Sequence, residues 1–159
     1  MYPGIEFPPK RGEINIRLMD SVDLDAVTAI ERDSSPSPWT RSLFAGCLGA
    51  SYFCLVAIAD NKVIAFGISS LVIDEGTIVN IGVDVAYQGY GCGNKVLRRL
   101  LENLANENAS KVYLEVRVSN QTAIRLYRRV GFTQTGVRKD YYSLGHTRED
   151  AILMEKKFL

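Results

Sequence analysis

Hydrophobic and polar positions are most ordered between residues 77 and 120. An apolar run over 77–83 (Thr-Ile-Val-Asn-Ile-Gly-Val) leads into a glycine-rich turn, Gln88-Gly89-Tyr90-Gly91-Cys92-Gly93. Val96, Leu97, Leu100, Leu101 and Leu104 then recur at helical spacing across 95–106. A second apolar run, 111–118, puts Val112, Leu114 and Val116 on one face and Tyr113, Glu115 and Arg117 on the other. The unit reads strand, glycine loop, helix, strand.

The flanking pattern completes the chain. Ile14, Ile16 and Leu18 alternate with polar neighbours and predict a first strand over 14–19. Asp20 or Asp23 caps a helix carrying Leu24, Val27 and Ile30, which Ser34 to Pro38 ends. Thr40 caps a short helix to 48 that packs Leu43, Phe44 and Leu48, and Gly46 and Gly49 weaken it. Strands over 53–59 and 63–72 join at Asp60-Asn61, and Asp74-Glu75-Gly76 turns the chain into the strand at 77–83. Downstream, Asn120 caps a helix to 130 with Ala123, Ile124, Leu126 and Tyr127, ended by Gly131. A strand over 132–137, a polar loop over 140–150 and a closing strand over 151–158 follow. The order β-α-α-β-β-β-α-β-α-β-β predicts an α+β mixed sheet with helices on both faces.

Bulk numbers narrow the class. With 159 residues, 47% apolar and 23% charged, the chain suits one globular domain over 13–159. Residues 1–12, with Pro3, Pro8, Pro9, Lys10 and Arg11, are expected as a flexible tail, neither signal peptide nor membrane span. Nineteen basic and 18 acidic residues give a net charge of +1, so no global field draws nucleic acid or membranes. Three cysteines without C-x-x-C spacing argue against disulfides and a zinc site, and no metal is expected. Cys92 lies near a helix start, where a thiol can be acidified, but a small filler residue is the commoner case.

A glycine loop entering a helix presents bare N–H groups at the positive end of the helix dipole, a site for phosphate oxygens. A P-loop needs Lys and Ser/Thr directly after its last glycine, and here Asn94 and Lys95 follow Gly93. A dinucleotide G-x-G-x-x-G fails at Asn94. Q-x-x-G-x-G is met by Gln88, Gly91 and Gly93. A turn without a ligand is the remaining reading.

That loop resembles the pyrophosphate loop of the GNAT acetyltransferase superfamily. So does Leu126-Tyr127-Arg128-Arg129-Val130-Gly131-Phe132, an L-Y-x-x-x-G-F signature. Leu114-Glu115-Val116-Arg117-Val118-Ser119-Asn120 is similar to the L-E-V-R-x-S-N of the RimI-type ribosomal-protein-alanine N-acetyltransferases. Pro38-Trp39, Tyr141-Tyr142 and Arg148-Glu149-Asp150-Ala151 point the same way. The likeness spans about 14–154 and implies a mostly antiparallel sheet of about seven strands.

It also implies a cytoplasmic enzyme moving an acetyl group from acetyl-CoA to the α-amino group of a protein N-terminus, a ribosomal protein beginning with alanine. Acetyl-CoA would be held by Gln88, Gly89, Tyr90, Gly91, Cys92, Gly93 and Asn94, by Asn120 and Tyr127, and by Ile81, Gly82 and Val83. Gly82 would allow close approach. Such loops often carry arginines where this chain has Gly89 and Asn94, and Lys95 and Arg98 stand nearby to compensate. The state implied is monomer or weak dimer, with no nucleic acid or membrane partner. The alternatives are a GNAT acting on a small amine or lysine side chain, and a non-catalytic acyl-CoA sensor.

Glu115 is the candidate base, working through a water. An apolar strand should raise its pKa, and the competing reading pairs it with Arg117. The resemblance makes Tyr127 the proton donor to the coenzyme thiolate. It also places Trp39, Tyr141, Tyr142 and Glu149 around the peptide, with Glu149 or Asp150 as an acidic rim. Trp39 reads equally well as a core residue.

Overall fold

The computed structural model describes residues 13–158, so the tail expected at 1–12 lies outside the described residues. Seven strands form one sheet: β1 (Asn15–Leu18), β2 (Tyr52–Ala59), β3 (Lys62–Val72), β4 (Glu75–Val83), β5 (Lys111–Arg117), β6 (Thr133–Leu144) and β7 (Thr147–Lys157). They lie in the order β1-β2-β3-β4-β5-β7-β6. Among the described residues only β4 and β5 pair in parallel. The expected α+β, mostly antiparallel architecture holds.

Helices α1 (Leu24–Ser34) and α2 (Arg41–Gly46) cover one face, α3 (Cys92–Asn106) and α4 (Gln121–Arg129) the other. The sheet is therefore buried on both sides, which is why 54–57 and 64–68 are unbroken apolar runs. In β2, Leu55, Ala57 and Ala59 face α3, while Cys54 and Val56 join Val27, Phe44 and Phe66 under α1 and α2. Burying each large side chain contributes roughly 1.5–3 kcal/mol.

Thr40 caps α2 through its hydroxyl, which accepts from Leu43 N. Leu43 is not packed as expected: it is 54% exposed, while Phe44 is buried and Leu48 is partly buried against the same core. Asp20 caps a 3-10 turn over Ser21–Asp23 rather than α1 itself, in a reciprocal box with Asp23. α3 opens at Cys92, three residues before the start expected at 95. Its first turn, Cys92-Gly93-Asn94, is too small and polar to show helical periodicity.

The polar loop expected over 140–150 is a correction. β6 runs to Leu144, and Tyr142, Ser143 and Leu144 pair with Glu149, Arg148 and Thr147 of β7. Gly145, at φ 59, turns the hairpin. Both faces of this ribbon are exposed over much of its length, so it carries no apolar alternation to betray a strand. A register shift between Arg138 and Tyr142, with Asp140 at φ 51, breaks the period further.

Candidate active site

β4 and β5 are bonded only at Glu75–Lys111, Gly76–Val112 and Thr77–Tyr113, although both strands continue to Val83 and Arg117. Ile68 of β3 faces Asn80 and Ser69 faces Ile78, so Val79 is an extra residue on β4. Such a bulge bends the strand, and β5 stays bonded to β7 along its whole length. The two strands form a wedge that opens towards Ile81 and Val83. A Cβ at Gly82 would stand 2.3 Å from the Phe66 ring. The room that glycine makes there is filled by a core aromatic.

The glycine loop leaves the end of β4. Gln88 Nε2 donates to Val83 O at 3.2 Å, tying the loop to the strand. Gly89 and Gly91 have φ of 86 and 83, where other residues are strained, and a Cβ at either would meet nothing within 4 Å. Gly91 caps α3 without a side chain, which leaves the first-turn N–H groups without intrahelical partners. Asn94 Oδ1 accepts from Arg98 Nε, which draws that guanidinium towards the helix start. The Cys92 thiol turns inward and donates to Tyr87 O at 3.6 Å. Burial raises its pKa, so the acidified thiol considered from sequence is absent and only its backbone faces the loop.

Beside the wedge is a cleft of about 350 Å³ lined by Trp39, Ile81, Glu115, Asn120, Tyr127 and Tyr142, together with Glu31, Asn80 and Arg117. Tyr127 is 9% exposed, stands edge-on to Phe132, and its pKa is pushed up to about 12 by burial, so it keeps its proton at neutral pH. Asn120 caps α4 by accepting from Ala123 N. Trp39 satisfies both of its readings, lining the cleft while packing 5.2 Å from Phe44.

Glu115 does not pair with Arg117. Its partner is Arg138 of β6, at 3.5 Å. The Tyr141 phenol is hydrogen-bonded to Glu115, which holds the phenol proton and raises its pKa. Arg117 instead bonds Glu149 at 3.1 Å and Ser143 O at 3.1 Å, and its guanidinium stacks 4.4 Å from the Tyr142 ring. Glu149 also accepts from Ser119 Oγ. It is therefore sequestered under the hairpin, in a pair whose side chains are 12% and 9% exposed. Ser37 Oγ donates to Ser143 O, closing the hairpin tip onto the α1–α2 connection.

Glu31, Asn80 and Arg138 were missed by sequence reasoning. Glu31 had a signal: it lies seven residues after Leu24, on the apolar stripe of α1. Arg138 had none, because its strand read as ending at 137.

A second cleft of about 340 Å³, lined by Ser51, Ser70, Asn103 and Glu107 among others, holds none of these groups. Among the described residues, no group of three or more His, Cys, Asp and Glu is placed to hold a metal, and no helix is long and apolar enough to cross a membrane.

Residues 22–132 match the sequence profile described as the acetyltransferase (GNAT) family. The chain is 37% identical over 139 residues to the [Ribosomal protein bS18]-alanine N-acetyltransferase of Salmonella typhimurium, covering 87% of this chain and 94% of that one. The crystal structure of the ribosomal-protein-S18-alanine N-acetyltransferase from Escherichia coli superposes with a TM-score of 0.85 at 36% identity, covering 91% and 93%. The fold alone is shared with Arabidopsis thaliana NAA60 in complex with acetyl-CoA, at a TM-score of 0.83 and 20% identity over 91% of this chain and 98% of that one. The profile match, the 37% identity and the wedge, loop and cleft together show that the chain belongs to the acetyltransferase (GNAT) family.

Proposed function

We propose that this protein acetylates the α-amino group of a protein N-terminus, its acceptor a ribosomal protein beginning with alanine, with acetyl-CoA as donor. The observation that carries the reading is the convergence of Glu115, Asn120, Tyr127 and Tyr142 on one cleft beside the β4–β5 wedge. The relatives acting on bS18 supply the acceptor class.

The chain's own groups fit acetyl-CoA. The open backbone at Gly89 and Gly91 and the first turn of α3 suit its pyrophosphate. The unpaired edge of β4 at Ile81 and Val83 suits an extended arm added like a strand. When bound, acetyl-CoA supplies an activated acyl thioester. Glu115 takes the acceptor's proton through a water, and Arg138 and Tyr141 fix its carboxylate. Tyr127 holds a proton ready for the leaving sulfur. The hairpin, tied down by Arg117 and Ser37, walls the acceptor side of the cleft.

The test is a thiol-release assay with peptides beginning Ala, Ser or Met, and with a lysine peptide and a polyamine as controls. Turnover should be highest on the alanine peptide. Preference for lysine or the polyamine would overturn the acceptor assignment. Coenzyme binding without turnover on any acceptor would favour a sensor.

A further inference from the structure

Two carboxylates line the acceptor cleft, Glu31 and Glu115. Glu115 has a counter-charge in Arg138. Glu31, only 5% exposed, has none among the described residues. Its Oε1 accepts from Trp39 N at 3.3 Å and its Oε2 from Asn80 Nδ2 at 3.2 Å, and the Ser35 side chain is hydrogen-bonded to it as well. The Trp39 and Asn80 nitrogens are donors, so these contacts favour the ionised carboxylate, and burial opposes it and raises the pKa.

The arginine that lines the cleft, the one paired with Glu115 and the one next in sequence to Glu31 are already engaged. Arg117 lies against Glu149, Arg138 against Glu115, and Arg32 against exposed Asp33. A buried charge is ordinarily paired, and a carboxylate offers about four acceptor sites, so at least one remains open on Glu31. An acceptor amine reaches the cleft as an ammonium at neutral pH, which is the missing partner.

We infer that Glu31 is an acceptor-binding residue, whose carboxylate, held by Trp39 N and Asn80, receives the positive charge of the incoming amine before Glu115 takes its proton. This rests on the N-terminal acetyltransferase reading and names a recognition group within that cleft. It makes the α1 end, and not only the hairpin, a determinant of acceptor affinity.

Glu31→Gln tests it. The amide keeps the shape, can accept from Trp39 N, and can donate to an Asn80 amide that has turned over. Melting temperature and the KM for acetyl-CoA should stay at parental values. The KM for the alanine peptide should rise roughly tenfold with kcat within about twofold, the signature of a lost binding charge. Calorimetry in the presence of coenzyme A adds a control with the N-acetylated form of the same peptide, which has no ammonium and should bind parent and variant alike. Equal weakening of both peptide forms would mean that Glu31 only shapes the cleft, and the inference falls. If the variant does not fold, the parent decides: no preference for the free-amine peptide over its acetylated form overturns it. A parent inactive on every peptide overturns the function reading and this inference with it, whereas an active parent and an unchanged peptide KM in Glu31→Gln overturns the inference alone.

Discussion

At the scale of single residues, the Tyr127 ring packs against Phe132 while its hydroxyl has no hydrogen bond to another described residue. Tyr127→Phe therefore orphans no partner, and melting temperature and coenzyme affinity should hold. Turnover should fall on the order of 10²-fold or more, because the lost proton matters only as charge develops on sulfur. Single-turnover acetylation on the same preparation checks this, and an intact rate would make Tyr127 a packing residue. Glu115 behaves differently, since Arg138 and Tyr141 both lean on its charge. Glu115→Gln should lose about 10²–10⁴-fold in kcat at neutral pH. The deficit should narrow as pH rises, where the free amine needs no base. The ion pair itself is a third exposed on the Glu115 side, so its loss should cost at most about 1 kcal/mol of stability. A near-normal rate at pH 7 would leave Glu115 as the anchor for Arg138 and nothing more.

At the scale of elements, the β6–β7 hairpin is fastened to the body by Arg117. The Arg117–Glu149 pair is nearly dry, so Arg117→Met alone should cost about 3–5 kcal/mol by leaving Glu149 buried and unpaired. For a chain of this size that is on the order of 10 °C in melting temperature. Adding Glu149→Leu should recover much of the loss, and a double variant as unstable as the single would show that the pair contributes more than its charges. This fastening was hard to read in the sequence. α1, α3 and β5 were legible because burial on one face of a regular element leaves a period, and β2 and β3 because burial on both faces leaves an unbroken apolar run. The hairpin is wet on both faces over much of its length, so its residues carried no period. Its partners, 32 positions apart for Arg117 and Glu149, are joined only by the fold. The glycine loop was legible for the opposite reason. Its left-handed turns at Gly89 and Gly91 require glycine, so composition alone marks them. The first turn of α3 and the inward Cys92 thiol stayed hidden, since neither changes the composition.

At the scale of the whole molecule, titration sets the limits of stability. On the acid side two groups oppose each other. Arg17 holds the Asp23 carboxyl below its ordinary range through bonds of 2.7 and 2.8 Å, and that stability is lost as pH falls through its folded value. Glu31, raised by burial, works in the reverse sense: protonation relieves its desolvation as pH falls. On the alkaline side several groups act together, Cys47, Cys92 and Tyr141 among them, and three are shifted furthest. Burial pushes Cys54 up to about 11 and Tyr127 and Tyr142 up to about 12. Each is neutral when protonated, and each keeps its proton in the fold after the unfolded chain has lost it, from about pH 9 for the thiol and pH 10 for the phenols. The stability they contribute is therefore whole below pH 9 and is lost progressively as pH rises to about 12. Each tenfold gap in proton affinity is worth about 1.4 kcal/mol. Denaturant midpoints measured from pH 7 to 11.5 should be flat at first and then fall with increasing slope above pH 9. Tyr127→Phe should remove its share of that slope above pH 10 while leaving the plateau at pH 7 in place. A midpoint unchanged to pH 11.5 in the parent protein would mean that these groups meet water in the folded state, and the dry cleft wall around Tyr127 and Tyr142 would have to be redrawn.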